Sequence, residues 1–131
     1  MKVIEKPVVA VVDDDPRILE SMVELFESAG YVVRTFSSGN ALLTADLSSI
    51  DCLITDIGMP GMDGFELHSI VKRALPKLPV FLLTGRHDIN RHRAMGEDIS
   101  GFFRKPFSGP HLLAAIDHVL RSTDMEDDDD G

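Results

Sequence analysis

Leu53-Ile54-Thr55-Asp56-Ile57-Gly58-Met59-Pro60 decides the fold: it is an apolar run that ends on one carboxylate and then turns sharply. An apolar run bounded by Gly and Pro reads as a short buried strand, so Asp56 belongs at its C-terminal lip. In an open α/β sheet that lip is where ligands bind and react. A second run of the same kind lies far upstream, Val11-Val12-Asp13-Asp14-Asp15, again a strand that breaks into carboxylates. If the two strands are parallel neighbours, Asp13, Asp14 and Asp56 converge on one small volume. Two bare carboxylates about 4 Å apart repel by about 4 kcal/mol at an effective dielectric of about 20. A hard divalent cation removes the conflict, and an all-oxygen site with room for water suits Mg²⁺.

Working outward, residues 8–12 form β1, apolar at every position, which implies burial on both faces in a parallel sheet covered by helices. Pro16 falls in the first turn of α1 (16–29), with Asp14 or Asp15 as its cap and Ile18, Met22, Leu25 and Phe26 on its apolar face. Gly30 ends that helix. The spacing then predicts β2 (31–36), a weaker helix α2 (38–47) capped by Ser37 or Ser38, and β3 (50–55). A loop to Gly64 leads into α3 (65–75), which Pro76 stops. After it come β4 (79–84), a helix α4 (88–97) with few apolar residues, β5 (102–104) and α5 (112–120). A strand followed by a helix repeats five times. With right-handed crossovers this gives an α/β fold, a doubly wound five-stranded parallel sheet of order 2-1-3-4-5, in which β1 and β3 are adjacent.

The chain's 131 residues suit one domain, expected over residues 7–121 and large enough to bury a core without disulfides. Cys52, the one cysteine, falls in a buried run and reads as an inert thiol. No apolar run approaches the roughly 18 residues of a membrane span, and the N-terminal run is too short for a signal-peptide core, so the expected location is cytoplasmic, without membrane contact. Of the net charge of −9, six acidic residues lie between Asp124 and Asp130, which leaves −3 for residues 1–123. Residues 122–131 read as an acidic, disordered tail, and no output domain follows. Neither part has the basic footprint of a nucleic-acid binder.

The motifs resemble those of the response-regulator receiver domain of two-component signalling, and the resemblance runs from about Val8 to Leu120. It is carried by Val11-Val12-Asp13-Asp14-Asp15, by Asp56-Ile57-Gly58-Met59-Pro60-Gly61-Met62-Asp63-Gly64, by Leu83-Thr84-Gly85 and by Lys105-Pro106-Phe107. Each stretch sits at the C-terminal end of a predicted strand. The resemblance implies a phosphoacceptor at Asp56 and Mg²⁺ held by Asp13, Asp14, Asp56 and the backbone carbonyl of Gly58. It also implies phosphoryl contacts from Thr84 and Lys105, a switch formed by Thr84 and Phe102, and a cis Lys105–Pro106 bond. The implied donor is a histidine kinase or a histidine phosphotransfer protein. The implied readout is an α4-β5-α5 surface that engages an unidentified downstream protein or a second copy; a monomer acting as a phosphoryl relay or sink is equally compatible.

Chemistry supports the assignment independently, because phosphoryl transfer asks the protein mainly to position groups and neutralise charge. Phe102 as simple core packing stays open, since Phe103 lies beside it. Such a module is a phosphoacceptor and not a multiple-turnover enzyme. A phosphatase with an aspartate nucleophile needs a second aspartate two residues on, where this chain has Gly58. A degenerate receiver that only binds partners, without phosphorylation, is the alternative. The chain departs from the family at Glu97-Asp98-Ile99-Ser100, where a small Gly-Ala pair is usual. The basic cluster Arg86, His87, Arg91, His92 and Arg93 nearby reads as a solvated or partner-docking surface, because no aromatic residues interleave with it.

Overall fold

Continuous apolar runs have one stable solution in water, a sheet covered on both faces, and that is what the chain builds. The computed structural model describes residues 6–85, 101–105 and 107–130, with side chains as far as Arg121. Strands β1 (Val8–Val12), β2 (Val32–Phe36), β3 (Cys52–Asp56), β4 (Val80–Thr84) and β5 (Gly101–Arg104) pair in parallel in the order β2-β1-β3-β4-β5. The expected doubly wound order is therefore the order observed. Its inner strands are the ones with unbroken hydrophobicity, while β2 and β5 are half-exposed edges. Pairings Val12↔Thr55, Asp56↔Leu83 and Thr84↔Arg104 bring four C-terminal strand ends side by side.

Helix α1 (Pro16–Ser28) starts as its sequence dictates, with Asp15 as N-cap accepting from the Arg17 amide and Pro16 in the first turn. It ends at Gly30, whose φ of +93° is the left-handed geometry that glycine adopts without a Cβ penalty. Met22 and Phe26 of α1 and Leu112 and Ile116 of α5 (Gly109–Asp130) pack on Val9, Val11, Ile54 and Leu83. On the other face α2 (Gly39–Leu43) and α3 (Gly64–Ala74) lay Leu42, Leu67 and Val71 against Ala10, Val12, Leu53 and Leu82. Cys52 is buried, and burial pushes its thiol up, as an inert packing residue requires.

Several boundaries differ from the sequence reading. Helix α2 stops at Leu43, because the Asp46 carboxylate takes the Ser48 amide at 3.0 Å and its hydroxyl at 2.7 Å, starting a turn where a helix was expected. Strand β3 begins two residues later than expected and includes Asp56 itself. Helical backbone in α5 runs to Asp130, past the 120–121 limit and through the segment read as a disordered tail. No Gly or Pro stands between Leu112 and Asp130 to stop it, and apolar periodicity registers only the core-facing part of a helix. The expected α4, the basic cluster and Pro106 with its cis bond lie outside the described residues.

Candidate functional site

The site is made by β1 and β3 leaving the sheet together. At its end β1 passes into Asp13, whose amide donates to the Phe36 carbonyl at 3.1 Å and whose carboxylate accepts the Asp15 amide at 2.9 Å. At the end of β3, Asp56 is followed by a compact turn. The Ile57 carbonyl accepts the amides of Met59 and Gly64, both at 3.0 Å, and Asp63 caps α3 through a reciprocal pair with Glu66. Gly64 is required here by proximity. A Cβ on it would lie 2.5 Å from the Asp56 carbonyl oxygen and 2.7 Å from the Ile57 Cα, and both are backbone atoms that cannot swing away.

The chain thus brings Asp13, Asp14 and Asp56 together, with one carboxylate oxygen of each within 4.8 Å of the others. Asp13 and Asp56 are buried and Asp14 is exposed. Lys105 reaches in from the end of β5, its backbone amide donating to the Thr84 carbonyl at 2.9 Å. Its Nζ lies 3.0 Å from Asp56 Oδ1 and 3.1 Å from Asp13 Oδ2, bridging the two buried acids. Three carboxylates and one ammonium leave a net charge of −2.

Electrostatics follow from that crowding. Burial raises the Asp13 carboxyl above its ordinary range and the Asp56 charge adds to the effect, against the opposing hydrogen bonds from the Asp15 amide and Lys105. Burial alone would push the Lys105 ammonium down, but hydrogen bonds and charge from Asp56 and Asp13 more than reverse this and hold it above its usual value. The donors are hard oxygens, the charge deficit equals one divalent ion, and the three carboxylates lie near enough to one another to share a single ion. The residues present therefore fit Mg²⁺. Gly58 is exposed beside them, with open space where a side chain would stand.

The other two expected residues stand apart. Thr84 is buried at the end of β4, but its hydroxyl donates to the Gly85 carbonyl at 3.1 Å and not to the carboxylate cluster. Phe102 pairs with Leu82 across β4 and β5 and packs on the α2–α3 side, while Phe103 lies on the opposite face 6.1 Å from Phe81. Alternation along β5 thus separates the two rings. From sequence alone neither Gly64, in the Asp63-Gly64 pair, nor Thr55, the hydroxyl that follows Cys52-Leu53-Ile54 in β3, carried a role.

The response regulator receiver domain model matches residues 9–117. This chain belongs to that family. The receiver is 34% identical over 116 residues to the transcriptional regulatory protein FixJ of Bradyrhizobium diazoefficiens, a match covering 87% of this chain and 57% of FixJ. It is equally similar, at 34%, to the response regulator protein TodT of Pseudomonas putida, covering 87% of this chain and 51% of TodT. The receiver thus spans about half the length of these curated relatives. Among solved structures it is similar to a receiver domain protein of Clostridium thermocellum, with TM-score 0.84, 31% identity and coverage of 91% and 98%. It is also similar to the chemotaxis protein CheY4 of Vibrio cholerae, with TM-score 0.75, 30% identity and coverage of 88% and 99%. Among the described residues no helix is long and apolar enough to cross a membrane.

Proposed function

We propose that this receiver accepts a phosphoryl group on Asp56 from a phosphohistidine of a histidine kinase or of a histidine phosphotransfer protein. The observation that carries the reading is the Lys105 ammonium bridging Asp56 and Asp13 within a cluster that still lacks two positive charges. Asp13, Asp14, Asp56 and the Gly58 carbonyl would hold Mg²⁺, which supplies charge neutralisation at the phosphoryl oxygens when bound. A carboxylate oxygen of Asp56 attacks phosphorus, an acyl phosphate O–P bond forms, and the N–P bond breaks with its electron pair going to the departing imidazole. Lys105 stays charged throughout and pairs with a phosphoryl oxygen as it now pairs with the acids.

Readout rests on two residues beside the site. Rotation of Thr84 away from the Gly85 carbonyl lets its hydroxyl donate to the phosphoryl group. The space this leaves behind β4 and β5 is filled by inward movement of Phe102, which changes the α4-β5-α5 surface offered to a downstream protein or a second copy. The module is a cytoplasmic phosphoacceptor and not a multiple-turnover enzyme, and it makes no nucleic-acid contact of its own.

Intact-mass analysis after incubation with Mg²⁺ and acetyl phosphate tests this. The expected result is a gain of one phosphoryl group that disappears in Asp56→Asn and on removal of Mg²⁺. A folded parent protein that gains no mass sinks the phosphoacceptor reading in favour of phosphorylation-independent partner binding.

A further inference from the structure

We infer that Thr55 is a positioning residue for Asp56, acting through the backbone; this rests on the phosphoacceptor reading above. Thr55 is fully buried on a sheet face otherwise built from apolar residues, with Val12 and Leu82 as its partners on either side. A hydroxyl in that setting costs about 1–3 kcal/mol unless it is bonded, and a valine of the same shape would carry no such cost. Its Oγ1 is bonded, donating at 3.1 Å to the carbonyl oxygen of Asp56.

That carbonyl is where the sheet lets go. Pairing of β1 with β3 ends at Val12↔Thr55, because β1 turns away at Asp13 to form the site, so the ladder does not extend to Asp56 on that side. The short segment from Asp56 to Gly58 leaves the sheet held at three points, the first being the Ile57 amide, which still donates to the Leu83 carbonyl of β4 at 3.0 Å. The Ile57 carbonyl takes two backbone amides, and the Asp56 carbonyl takes the Thr55 hydroxyl with the Gly64 backbone closing over it. Of these hydrogen bonds one comes from a side chain, so Thr55 is the point at which sequence can loosen the segment. Freed there, the Asp56 peptide can tilt, and the carboxylate and the Gly58 carbonyl at the segment's two ends lose their fixed relation. A misplacement of about 1 Å in a reacting group is enough to slow transfer.

The test compares Thr55→Val, which keeps shape and volume but removes the donor, with Thr55→Ser, which keeps the donor. Initial rates of phosphorylation by acetyl phosphate are followed by intact mass across a Mg²⁺ titration, and Mg²⁺ binding is measured separately by amide NMR shifts. Thr55→Val is expected to lower the rate at saturating Mg²⁺, or to raise the half-saturating Mg²⁺ concentration, by about fivefold, the equivalent of one net hydrogen bond near 1 kcal/mol. Thr55→Ser is expected to stay within about twofold of the parent, and thermal unfolding reports that both variants are folded. Equal rates and equal Mg²⁺ requirement in Thr55→Val and parent overturn the inference, as does a Thr55→Ser protein as impaired as Thr55→Val, which would mean packing alone. A parent that binds Mg²⁺ but gains no phosphoryl group defeats the phosphoacceptor reading instead. The Mg²⁺ titration of Thr55→Val against the parent then still decides whether Thr55 positions the site.

Discussion

Two aspartates stand at the two ends of β3, and they are held in opposite ways. Asp51, at the N-terminal end, is exposed and spends its carboxylate on structure, accepting the Val8 amide at 2.8 Å where β1 begins. Around it that end of the sheet closes with bonds to backbone carbonyls: the Val32 amide to Pro7 at 2.9 Å, the Leu53 amide to Pro79 at 3.0 Å, and Lys72 Nζ to Leu78 at 2.9 Å. Asp56, at the C-terminal end, is buried beside a second buried acid, and the two share one ammonium. One end is arranged for stability, and the other carries charge that the fold alone does not balance. The comparison teaches that the buried Asp13 carboxylate stands where its ionised form is disfavoured, which is the pattern expected when a site is built for an ion and a reaction.

The largest effect that would break this contrast is steric. Gly64→Ala places a methyl group against the backbone of Asp56 and Ile57, so the turn at the C-terminal end must open. Urea unfolding is expected to show a loss of about 3 kcal/mol, at the upper end for overpacking. Gly58→Ala, two residues after Asp56 in the same turn but facing open space, is expected to stay within about 0.5 kcal/mol of the parent. Equal stability of the two variants would show that the turn yields and that the close approach at Gly64 positions nothing.

A smaller effect separates the two ends by charge. In Mg²⁺-free buffer Asp13→Asn is expected to raise stability by about 1 kcal/mol, because it relieves a buried acid whose ionised form the fold disfavours. Asp51→Asn keeps an acceptor for the Val8 amide and is expected to change stability by less than about 0.5 kcal/mol. Millimolar Mg²⁺ is expected to raise the unfolding temperature of the parent and leave that of Asp13→Asn almost unmoved. A less stable Asp13→Asn in the absence of Mg²⁺ would mean that the Lys105 pairing outweighs the crowding of carboxylates.

How much of this was legible beforehand follows from where each signal is stored. The sheet order and the meeting of Asp13, Asp14, Asp56 and Lys105 were readable because each strand carries its own apolar run and each of these residues follows or ends one. Alternation of neighbouring residues across a sheet is equally local, yet the faces of Phe102 and Phe103 needed the structure, since both rings are apolar and either fits a core. Gly64 was opaque for a different reason: its role is the absence of a side chain opposite a backbone oxygen, a contact between two segments that only the closed turn creates. Thr55 was hidden by the same run that made β3 recognisable, because a threonine suits a strand whether or not its hydroxyl has work. The early stop of α2 was written in Asp46 and Ser48, whose side chains compete with the helix for backbone groups, and apolar periodicity does not register that competition.

The smallest expected effect compares the two ends by alkaline titration. At the N-terminal end of β2, Tyr31 is buried and donates its hydroxyl to Asp117 at 3.3 Å, and burial followed by the Asp117 charge lifts its phenol from about 10 to about 12. A group whose folded value is raised contributes stability that is complete below its unfolded value and is lost as pH rises through the folded one. Tyr31 therefore stabilises fully below about pH 10, and its share drains away towards about pH 12. Lys105 has the same sign at the other end: its share is complete below 10.5 and is lost above that, as deprotonation leaves the carboxylates without their bridge. Urea midpoints measured from pH 9 to 12 are expected to fall in the parent and to fall less steeply in Tyr31→Phe. A Tyr31→Phe protein whose midpoint falls as steeply as the parent's would show that the phenol ionises freely in the folded state and that the charge burden lies wholly at the Asp56 end.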